Sequence, residues 1–418
     1  PSSLLGSVSN DEQQASNPVT SPLSPAYVRS YTATSAVGQG KAAMLHAVQA
    51  QQSGLRPLGN NMVRHGAAYS DLRTWVGWVD GLETPLPQRW EHWDCRNNRL
   101  AWMGLQSDEF LSDVRKATAR YGADRIALIL GTSTSSIGAT EQAYVDGAVT
   151  GKFPEHLSNA ALHTLHSLTG FVQEALEIHG PSYTLSTACS SSAKAFCAAE
   201  RLLRLNLVDA VVVGGVDSLC GSVLYGFNAL QLVSPDPCRP FDIARQGINL
   251  GEAAGFALLE REAGPLQLLG YGESSDAHHM SAPHPTGQGA EAALQQALAR
   301  AALHADAIDY VHLHGTATPQ NDEIEATLLN RCFGAHTLAS STKGMTGHTL
   351  GAAGMLGAAF SLLALEQGWL PGTVHTQTLD PAYSPNILKE PIHKPVHVVA
   401  SNSFAFGGSN CVLIWGQS

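Results

Sequence analysis

Two stretches of this sequence share one plan, in which a strand-like segment runs through a turn of small residues into an apolar helix. In the first, residues 183–187 precede Cys189 and a helix with a Ser-rich first turn. In the second, residues 340–348 (SSTKGMTGH) lead into a Gly-, Ala- and Leu-rich helix. Each unit places a reactive side chain, Cys189 or His348, at the start of a helix fit for burial. This parallel suggests an ancient duplication.

Strand and helix patterns alternate along the rest of the chain. Short continuous apolar runs predict buried strands, and longer runs with a period of 3.6 residues predict helices. Strands are predicted at 27–34, 125–131, 183–187, 209–215, 266–271, 310–314 and 396–400, and helices at 40–52, 160–178, 190–205, 289–303 and 349–365. Residues 55–98, rich in Trp and Gly, are expected to be irregular. The alternation predicts an α/β fold with parallel or mixed sheets.

Composition narrows the class of protein. Charged residues make up 14% of the 418 residues, against about 25% in typical domains, which indicates much buried surface and favours an oligomer. The net charge of −11 argues against nucleic-acid or anionic-membrane binding. Seven Cys without paired spacing indicate free thiols in a reducing compartment, and we expect a cytoplasmic protein. The most apolar run, 351–365, is shorter than the roughly 20 residues of a membrane span.

The first 25 residues are rich in Ser, Pro, Asn and Gln. They lack the basic start and apolar core of a signal peptide. We expect a flexible tail, either native or added for expression, with the folded part beginning near residue 26.

Cys189 is the strongest candidate nucleophile. A lone buried Cys is usually an inert apolar residue. At a helix N-terminus, however, unpaired backbone N–H groups and the helix dipole favour a thiolate, so we expect a pKa below the usual value of about 8.5.

The chain resembles the β-ketoacyl synthases of fatty-acid and polyketide assembly, which have the thiolase-like fold. The similarity spans about residues 27–416 and is carried by a series of motifs in the family's order: TACSSS (187–192), RPFD (239–242), GEAAG (251–255), DAHHMSAPHP (276–285), HGTATP (314–319), STKGMTGH (341–348) and SFAFGGSN (403–410). The resemblance implies a five-layer αβαβα body with two pseudo-symmetric halves, 26–263 and 264–418.

The resemblance also implies a decarboxylative Claisen condensation. Cys189 would hold the acyl group, because exchange between a thiol and a thioester is nearly isoenergetic. Decarboxylation of a malonyl thioester then generates the carbanion, provided that donors stabilise the enolate oxygen. Neutral His314 and His348 would supply those donors. A helix N-terminus disfavours a protonated His348.

Two further residues match the family's catalytic pattern. Lys343 lies five residues before His348, and Glu325 lies eleven after His314. The resemblance implies that they form a pair that fixes geometry and biases His348. The alternative is a buried ion pair that only supports the fold.

The remaining implied site residues concern the substrate. Thr316 and Thr318 resemble the hydroxyls that contact the pantetheine arm. Phe406 resembles the gating residue, and its backbone N–H and that of Cys189 would form the oxyanion hole. Ala405 replaces the family's usual Gly, so we expect a stiffer gate.

Substrate length is expected to depend on the turn at 131–136. The resemblance places Thr134 at the floor of the acyl pocket, with Phe227 as the opposite wall. A small hydroxyl residue there would give a deeper and less exclusively apolar pocket. The alternative is that these hydroxyls cap backbone groups in a turn.

Other candidate sites are weaker. The six remaining Cys lack activating neighbours in sequence and are expected to be structural. Adjacent His278 and His279 more often face different ways than bind a metal together, so no metal is expected. The Gly214 and Gly407 pairs are turns, because no G-x-G-x-x-G follows a strand.

Several functions compete with a condensing enzyme. A degradative thiolase usually has a second Cys where this chain has residues 404–409, and a cysteine hydrolase has no use for Lys343 with a second His. A non-catalytic chain-length partner of a ketosynthase heterodimer usually lacks the nucleophile. We expect acyl carrier protein (ACP) and a homodimer or heterodimer with a related chain as partners. No cofactor is expected beyond the carrier's phosphopantetheine arm. The sequence does not decide between primary fatty-acid elongation and a specialised polyketide or polyene pathway, although it slightly favours a specialised one.

Overall fold

The computed structural model describes residues 26–59, 72–383 and 386–418. The expected tail at 1–25 and part of the irregular stretch at 55–98 lie outside the described residues. The described strands are β1 Ala26–Ser35, β2 Gly38–Gln39, β3 Leu55–Pro57, β4 Trp75–Gly77, β5 Ile126–Gly131, β6 Ser182–Leu185, β7 Ala210–Asp217, β8 Leu250–Gly251, β9 Ala253–Glu260, β10 Leu266–Ser275, β11 Tyr310–His312, β12 Leu338–Ser340, β13 Trp369–Leu370, β14 Ile392–His393, β15 Val398–Ala405 and β16 Ser409–Gln417. The described α-helices are α1 Gly40–Ala50, α2 Arg96–Leu105, α3 Phe110–Tyr121, α4 Ile137–Thr150, α5 Ser167–Leu176, α6 Ser191–Arg204, α7 Gly221–Ala229, α8 Gln288–Ala301, α9 Pro319–Cys332, α10 Lys343–Thr346 and α11 Ala353–Gln367.

The main sheet has the order β12-β11-β15-β16-β10-β1-β9-β7-β5-β6. From β1 outward, β9 and β7 add antiparallel and β5 and β6 add parallel. From β10 outward, β16 and β15 add antiparallel and β11 and β12 add parallel. The sheet is therefore mixed, and its strand pattern repeats on either side of the β1–β10 pairing. We propose residues 26–263 and 264–418 as the two halves on this basis.

Helices α6 and α11 form the central layer. They contact each other, and each contacts strands from both sides of the β1–β10 pairing. Their approach depends on Gly354, where an added Cβ would lie 2.5 Å from the backbone nitrogen of Ala193. Helix α8 covers β10 and β16 on one outer face, and α2, α3 and α5 cover strands of the other half. The layers are therefore helix, sheet, helix, sheet, helix, as expected.

The apolar segment Leu350–Gln367 is long enough to cross a membrane by length and composition. It is nevertheless 83% buried inside the protein. An apolar helix that is buried on every side is a core helix, as the sequence predicts for α11.

Two predicted helices begin several residues later than expected. The prediction at 160–178 is wrong in its first part, where a 3₁₀ turn Ala160–His163 precedes α5. The asparagine before that turn, Asn159, accepts a hydrogen bond from the Ala161 N–H and so caps a separate element. The prediction at 349–365 begins with a 3₁₀ turn at Leu350–Ala352, because Leu350 has a left-handed φ of 55°.

Candidate active site

A cavity that opens to solvent, with about 630 Å³ of empty space including its mouth, contains the three candidate catalytic side chains. The Cys189 sulfur and one ring nitrogen each of His314 and His348 lie within 4.8 Å of one another, and all three residues are buried. The imidazole centroids are 5.3 Å apart at an interplanar angle of 88°. A thioester carbonyl placed between them would meet all three groups at once.

Cys189 lies in the turn between β6 and α6, two residues before the first helical residue. The preceding residue, Ala188, has a left-handed φ of 51°. The backbone N–H groups of Phe406 and of Cys189 itself both interact with the thiol sulfur. These are the two donors that the sequence analysis assigns to the oxyanion hole.

The expected thiol acidity of Cys189 is wrong for the free protein. Burial raises its pKa to about 11, and the Asp217 carboxylate acts in the same direction. The Lys343 charge and the two backbone N–H groups lower the pKa but do not offset burial. The helix terminus alone therefore does not make a thiolate here, because desolvation of the charged form is the larger effect.

His348 is held in one tautomer by the backbone. Its Nδ1 accepts the Leu350 N–H at 3.1 Å, so in the neutral ring the proton resides on Nε2. Nε2 lies 3.0 Å from the Cys189 sulfur. Burial and, secondly, the Lys343 charge hold the pKa of His348 well below its usual range. His348 is thus a neutral ring whose N–H faces the sulfur.

His314 is clamped from two sides. Glu325 accepts the His314 and Gly315 backbone N–H groups, both at 2.6 Å. The Lys343 ammonium donates to the His314 carbonyl oxygen and lies 3.5 Å from its Nδ1. Burial and then Lys343 hold the pKa of His314 well below its usual range. With a cation at Nδ1, the neutral ring carries its proton on Nε2.

Lys343 and Glu325 therefore act together, but at His314. Lys343 biases His348 as expected, because its charge helps to lower the pKa of that ring, but its hydrogen-bonding contacts are with His314. Burial lowers the pKa of Lys343 and raises that of Glu325. Asn402 adds a hydrogen bond to Glu325 at 3.0 Å, so both charged groups are hydrogen-bonded inside the core.

The expected substrate residues line the same cavity, with one exception. Thr316, Thr318, Phe227 and Phe406 all face it. The two Thr hydroxyls are 2.8 Å apart, and the two Phe rings have centroids 5.6 Å apart. Ala405 has φ −117° and ψ 155°, which any residue adopts. Replacing Gly by Ala therefore does not restrict the backbone in this conformation, and the expectation of a stiffer gate is not supported.

Thr134 is the exception, and its assignment to the floor of the pocket is wrong. Its hydroxyl donates to the Asp217 carboxylate at 2.6 Å, and the residue is 1% exposed. Thr134 does not line the cavity that contains Cys189. The alternative from the sequence analysis, a hydroxyl that holds a turn together, describes this geometry.

Sequence reasoning missed three residues of the site. Asp217, Asn402 and Phe404 bind or pack against predicted site residues. The signal for Phe404 is its place in SFAFGGSN. Asp217 and Asn402 meet their partners only through the fold, more than 70 residues away in sequence.

The other candidates behave as structural residues. The His278 ring packs against His284, with centroids 4.9 Å apart, whereas His279 accepts the Ser281 N–H. Cys197 and Cys411 are buried with their sulfurs 3.6 Å apart. Burial raises the pKa of the Cys95, Cys220 and Cys238 thiols to about 12.

A nucleophilic Cys beside two neutral His on this five-layer fold defines a condensing enzyme. Family models agree: the β-ketoacyl synthase N-terminal domain matches residues 98–264, and the C-terminal domain matches residues 267–377. The chain belongs to the β-ketoacyl synthase family.

Individual relatives support the same family. Nodulation protein E of Rhizobium meliloti (strain 1021) is 34% identical over 309 residues, which cover 70% of this chain and 76% of that protein. The 3-oxoacyl-[acyl-carrier-protein] synthase 2 of Staphylococcus aureus is 31% identical over 327 residues, covering 73% and 81%. A solved chain from the complex of the ketosynthase ApeO with its chain length factor ApeC, from Xenorhabdus doucetiae, is 38% identical. It has a TM-score of 0.87 and covers 94% of this chain and 98% of that chain.

Proposed function

We propose that this chain condenses an acyl group held on Cys189 with a malonyl group carried by ACP, releasing CO₂ and a 3-oxoacyl group on the carrier. One observation carries the proposal. The imidazole of His348 presents an N–H, not a lone pair, to a sulfur 3.0 Å away. A hydrolase would need that nitrogen as a base, whereas a condensing enzyme needs it as a donor.

In the first half-reaction, the Cys189 sulfur attacks the thioester carbonyl of the acyl carrier. The developing oxyanion lies at the backbone N–H groups of Phe406 and Cys189, which already interact with the sulfur. The carbon–sulfur bond to the carrier breaks, and the carrier thiol leaves with the proton of Cys189. Because the free thiol has a raised pKa, the proton leaves during the transfer and not beforehand.

In the second half-reaction, a malonyl carrier places its thioester oxygen between His314 and His348. The bond between the α-carbon and the carboxylate breaks, CO₂ leaves, and the electron pair forms an enolate. Two neutral N–H donors stabilise the enolate oxygen as its charge develops. The α-carbon then attacks the acyl carbonyl, a carbon–carbon bond forms, and Cys189 departs as a thiolate and is reprotonated.

Lys343 and Glu325 position His314 in this scheme. Both contact the His314 backbone, and Lys343 also faces the ring nitrogen. A cation at Nδ1 disfavours imidazolium, so His314 stays a neutral donor.

Substrate access depends on two aromatic rings and two hydroxyls. Phe406 and Phe227 pack together at the cavity wall with their rings tilted by 31°, so rotation of Phe406 would widen the acyl chain's route to Cys189. Thr316 and Thr318 offer hydroxyls to the amides of the pantetheine arm. No separate cofactor enters the reaction, because the carrier's arm delivers both substrates.

The partners in this proposal are ACP and a related ketosynthase-like chain. Helix α4 and the segment after it expose apolar side chains: Tyr144 is 70% exposed, Val149 84% and Phe153 48%. An exposed apolar patch of this kind marks an interface. The solved relative from Xenorhabdus doucetiae is a complex with a chain length factor, which favours a heterodimer and a specialised polyketide or polyene pathway. We place the complex in the cytoplasm.

Intact mass measurements test this proposal. The chain, alone and mixed with a co-purified partner, is incubated with an acyl-ACP. We expect an acyl adduct that is absent from Cys189→Ala, and a 3-oxoacyl-ACP once malonyl-ACP is added. An absent adduct in both preparations would support a non-catalytic partner role instead.

A further inference from the structure

Asp217 is a buried carboxylate that the condensation steps do not use. It is 0% exposed, and in the described part of the chain no Lys, Arg or His forms an ion pair with it. Its two oxygens receive hydrogen bonds from five groups: the Thr132 hydroxyl, the Ser133 N–H, the Thr134 N–H and hydroxyl, and the Gly351 N–H. A buried charge without a counter-ion is costly, and these hydrogen bonds offset part of that cost.

The two carboxylate oxygens serve different segments. Oδ1 receives all four donors from the 132–134 turn, including the two hydroxyls at 2.6 and 2.7 Å. Oδ2 receives the Gly351 N–H at 2.6 Å and shares the Ser133 N–H. Gly351 follows directly after the residue that fixes the His348 tautomer.

The backbone at Leu350 is held in a strained conformation. Its φ of 55° lies in the left-handed region, which non-glycine residues adopt at a cost of about 1–3 kcal/mol. Two consecutive N–H groups are bound there, Leu350 to His348 Nδ1 and Gly351 to Asp217. The approach is close, since a Cβ on Gly351 would lie 2.7 Å from Asp217 Oδ2.

The same carboxylate also reaches the nucleophile. Ser133, which binds Asp217 through its N–H, donates its hydroxyl to the Ala188 carbonyl at 3.4 Å. Ala188 immediately precedes Cys189. Asp217 therefore connects the segment after His348 to the segment before Cys189.

We propose that Asp217 is a positioning residue that holds Leu350 in its left-handed conformation, and thereby keeps the proton of His348 on Nε2, facing Cys189. It touches neither substrate nor reacting atoms and acts through Gly351. Its role in the reaction rests on the proposed function, whereas its effect on the tautomer does not.

The Asp217→Asn variant distinguishes the roles of the two carboxylate oxygens. The amide oxygen at the Oδ1 position keeps the four donors of the turn, which leaves the NH₂ group facing the Gly351 N–H. Two donors then oppose each other and the Gly351 hydrogen bond is lost, whereas the Ser133 N–H, which both oxygens share, keeps its bond to the Oδ1 position. Thr132→Val is the matched control, since it removes a donor on the Oδ1 side and leaves the Gly351 contact in place.

The readouts are the ¹⁵N spectrum of labelled His348, assigned by its loss in His348→Asn, and the condensation rate. In wild type and Thr132→Val we expect the pure Nε2–H tautomer. In Asp217→Asn we expect mixed tautomers and condensation slower by about 10²-fold, as for a misplaced catalytic group, with an unchanged KM for malonyl-ACP. The Asn variant also removes a charge that raises the Cys189 pKa, so its alkylation should shift to lower pH.

Each outcome decides the matter. If Asp217→Asn folds and keeps the single tautomer, the proposal is wrong, whatever its condensation rate. If it does not fold, Gly351→Ala replaces it, because its Cβ would lie 2.7 Å from both Asp217 Oδ2 and the Ser133 nitrogen and so breaks the contact from the other side. If wild-type His348 carries its proton on Nδ1, the proposal fails without any variant. Absent condensation in wild type would refute the proposed function and leave the tautomer result standing.

Discussion

The imidazole of His348 joins Leu350 to Cys189: its Nδ1 accepts the Leu350 N–H at 3.1 Å, and its Nε2 lies 3.0 Å from the Cys189 sulfur. The backbone thereby decides which nitrogen carries the proton. A His that offers an N–H to the nucleophile stabilises negative charge and does not remove the thiol proton. This distinction separates a condensing site from a hydrolytic Cys–His pair.

Alkylation of Cys189 should be strongly pH-dependent. Because its pKa is raised to about 11, the thiolate fraction rises about tenfold per pH unit between pH 7 and 9. Iodoacetamide labelling, followed by peptide mass mapping, should show this slope at Cys189 ahead of the buried Cys95, Cys220 and Cys238, whose pKa values are about 12. A labelling rate that is flat across this range would indicate a preformed thiolate.

The two His should be dispensable for acylation and essential for condensation. His314→Ala and His348→Ala each remove one enolate donor, and such a loss costs a factor of about 10² to 10³ in rate. Both variants should still form the acyl adduct on Cys189. His304→Ala, on the exposed surface, is the control and should retain both steps. Wild-type condensation by either active-site variant would refute its role.

Acyl chain length should respond to Phe227 and not to Thr134. Phe227→Ala opens the cavity wall that packs against Phe406, so longer acyl chains should load on Cys189. The measurement is adduct formation across a ladder of acyl-ACP chain lengths. Thr134→Val, which loses the hydroxyl's hydrogen bonds to the Asp217 carboxylate and the Ser218 carbonyl, should keep the wild-type profile. A changed chain-length profile in the Thr134 variant would mean that Thr134 does line the acyl pocket.

Stability should fall in mild acid because of the buried His. Burial lowers the pKa of His312 to about 3 and holds those of His314 and His348 well below 6.5. Below pH 6.5 the unfolded chain binds protons that the folded chain does not, so each His lowers the unfolding free energy by about 1.4 kcal/mol per pH unit. Denaturant titrations from pH 7 to 5 should show this loss. His312→Asn should lessen the slope, and an unchanged slope would mean that His312 is protonated in the fold.

Local chemistry made much of the fold predictable. The β5, β7 and α6 predictions fall within two residues of the observed ends, because continuous apolar strands and a Ser-rich helix start are local signals. The motifs around Cys189, His314 and His348 likewise identified the residues that meet in the cavity. The repeated unit at Cys189 and His348 corresponds to the paired central helices α6 and α11.

The errors concern properties that only tertiary structure decides. The helix terminus predicts an acidic Cys189 thiol, whereas burial dominates and raises its pKa. The family resemblance places Thr134 at the pocket floor, but its hydroxyl donates to Asp217, 83 residues away. The left-handed residue Leu350, which delays the start of α11, has no sequence signal because Leu rarely adopts that conformation.

The most direct test of the account couples decarboxylation to bond formation. Acyl-loaded protein is mixed with malonyl-ACP labelled with ¹³C, and the CO₂ and the carrier products are measured together. The account predicts one labelled CO₂ for each 3-oxoacyl-ACP, with loss of the acyl adduct from Cys189 and no product from Cys189→Ala. Acyl adduct that disappears as free acid, without a carbon–carbon bond, would contradict it.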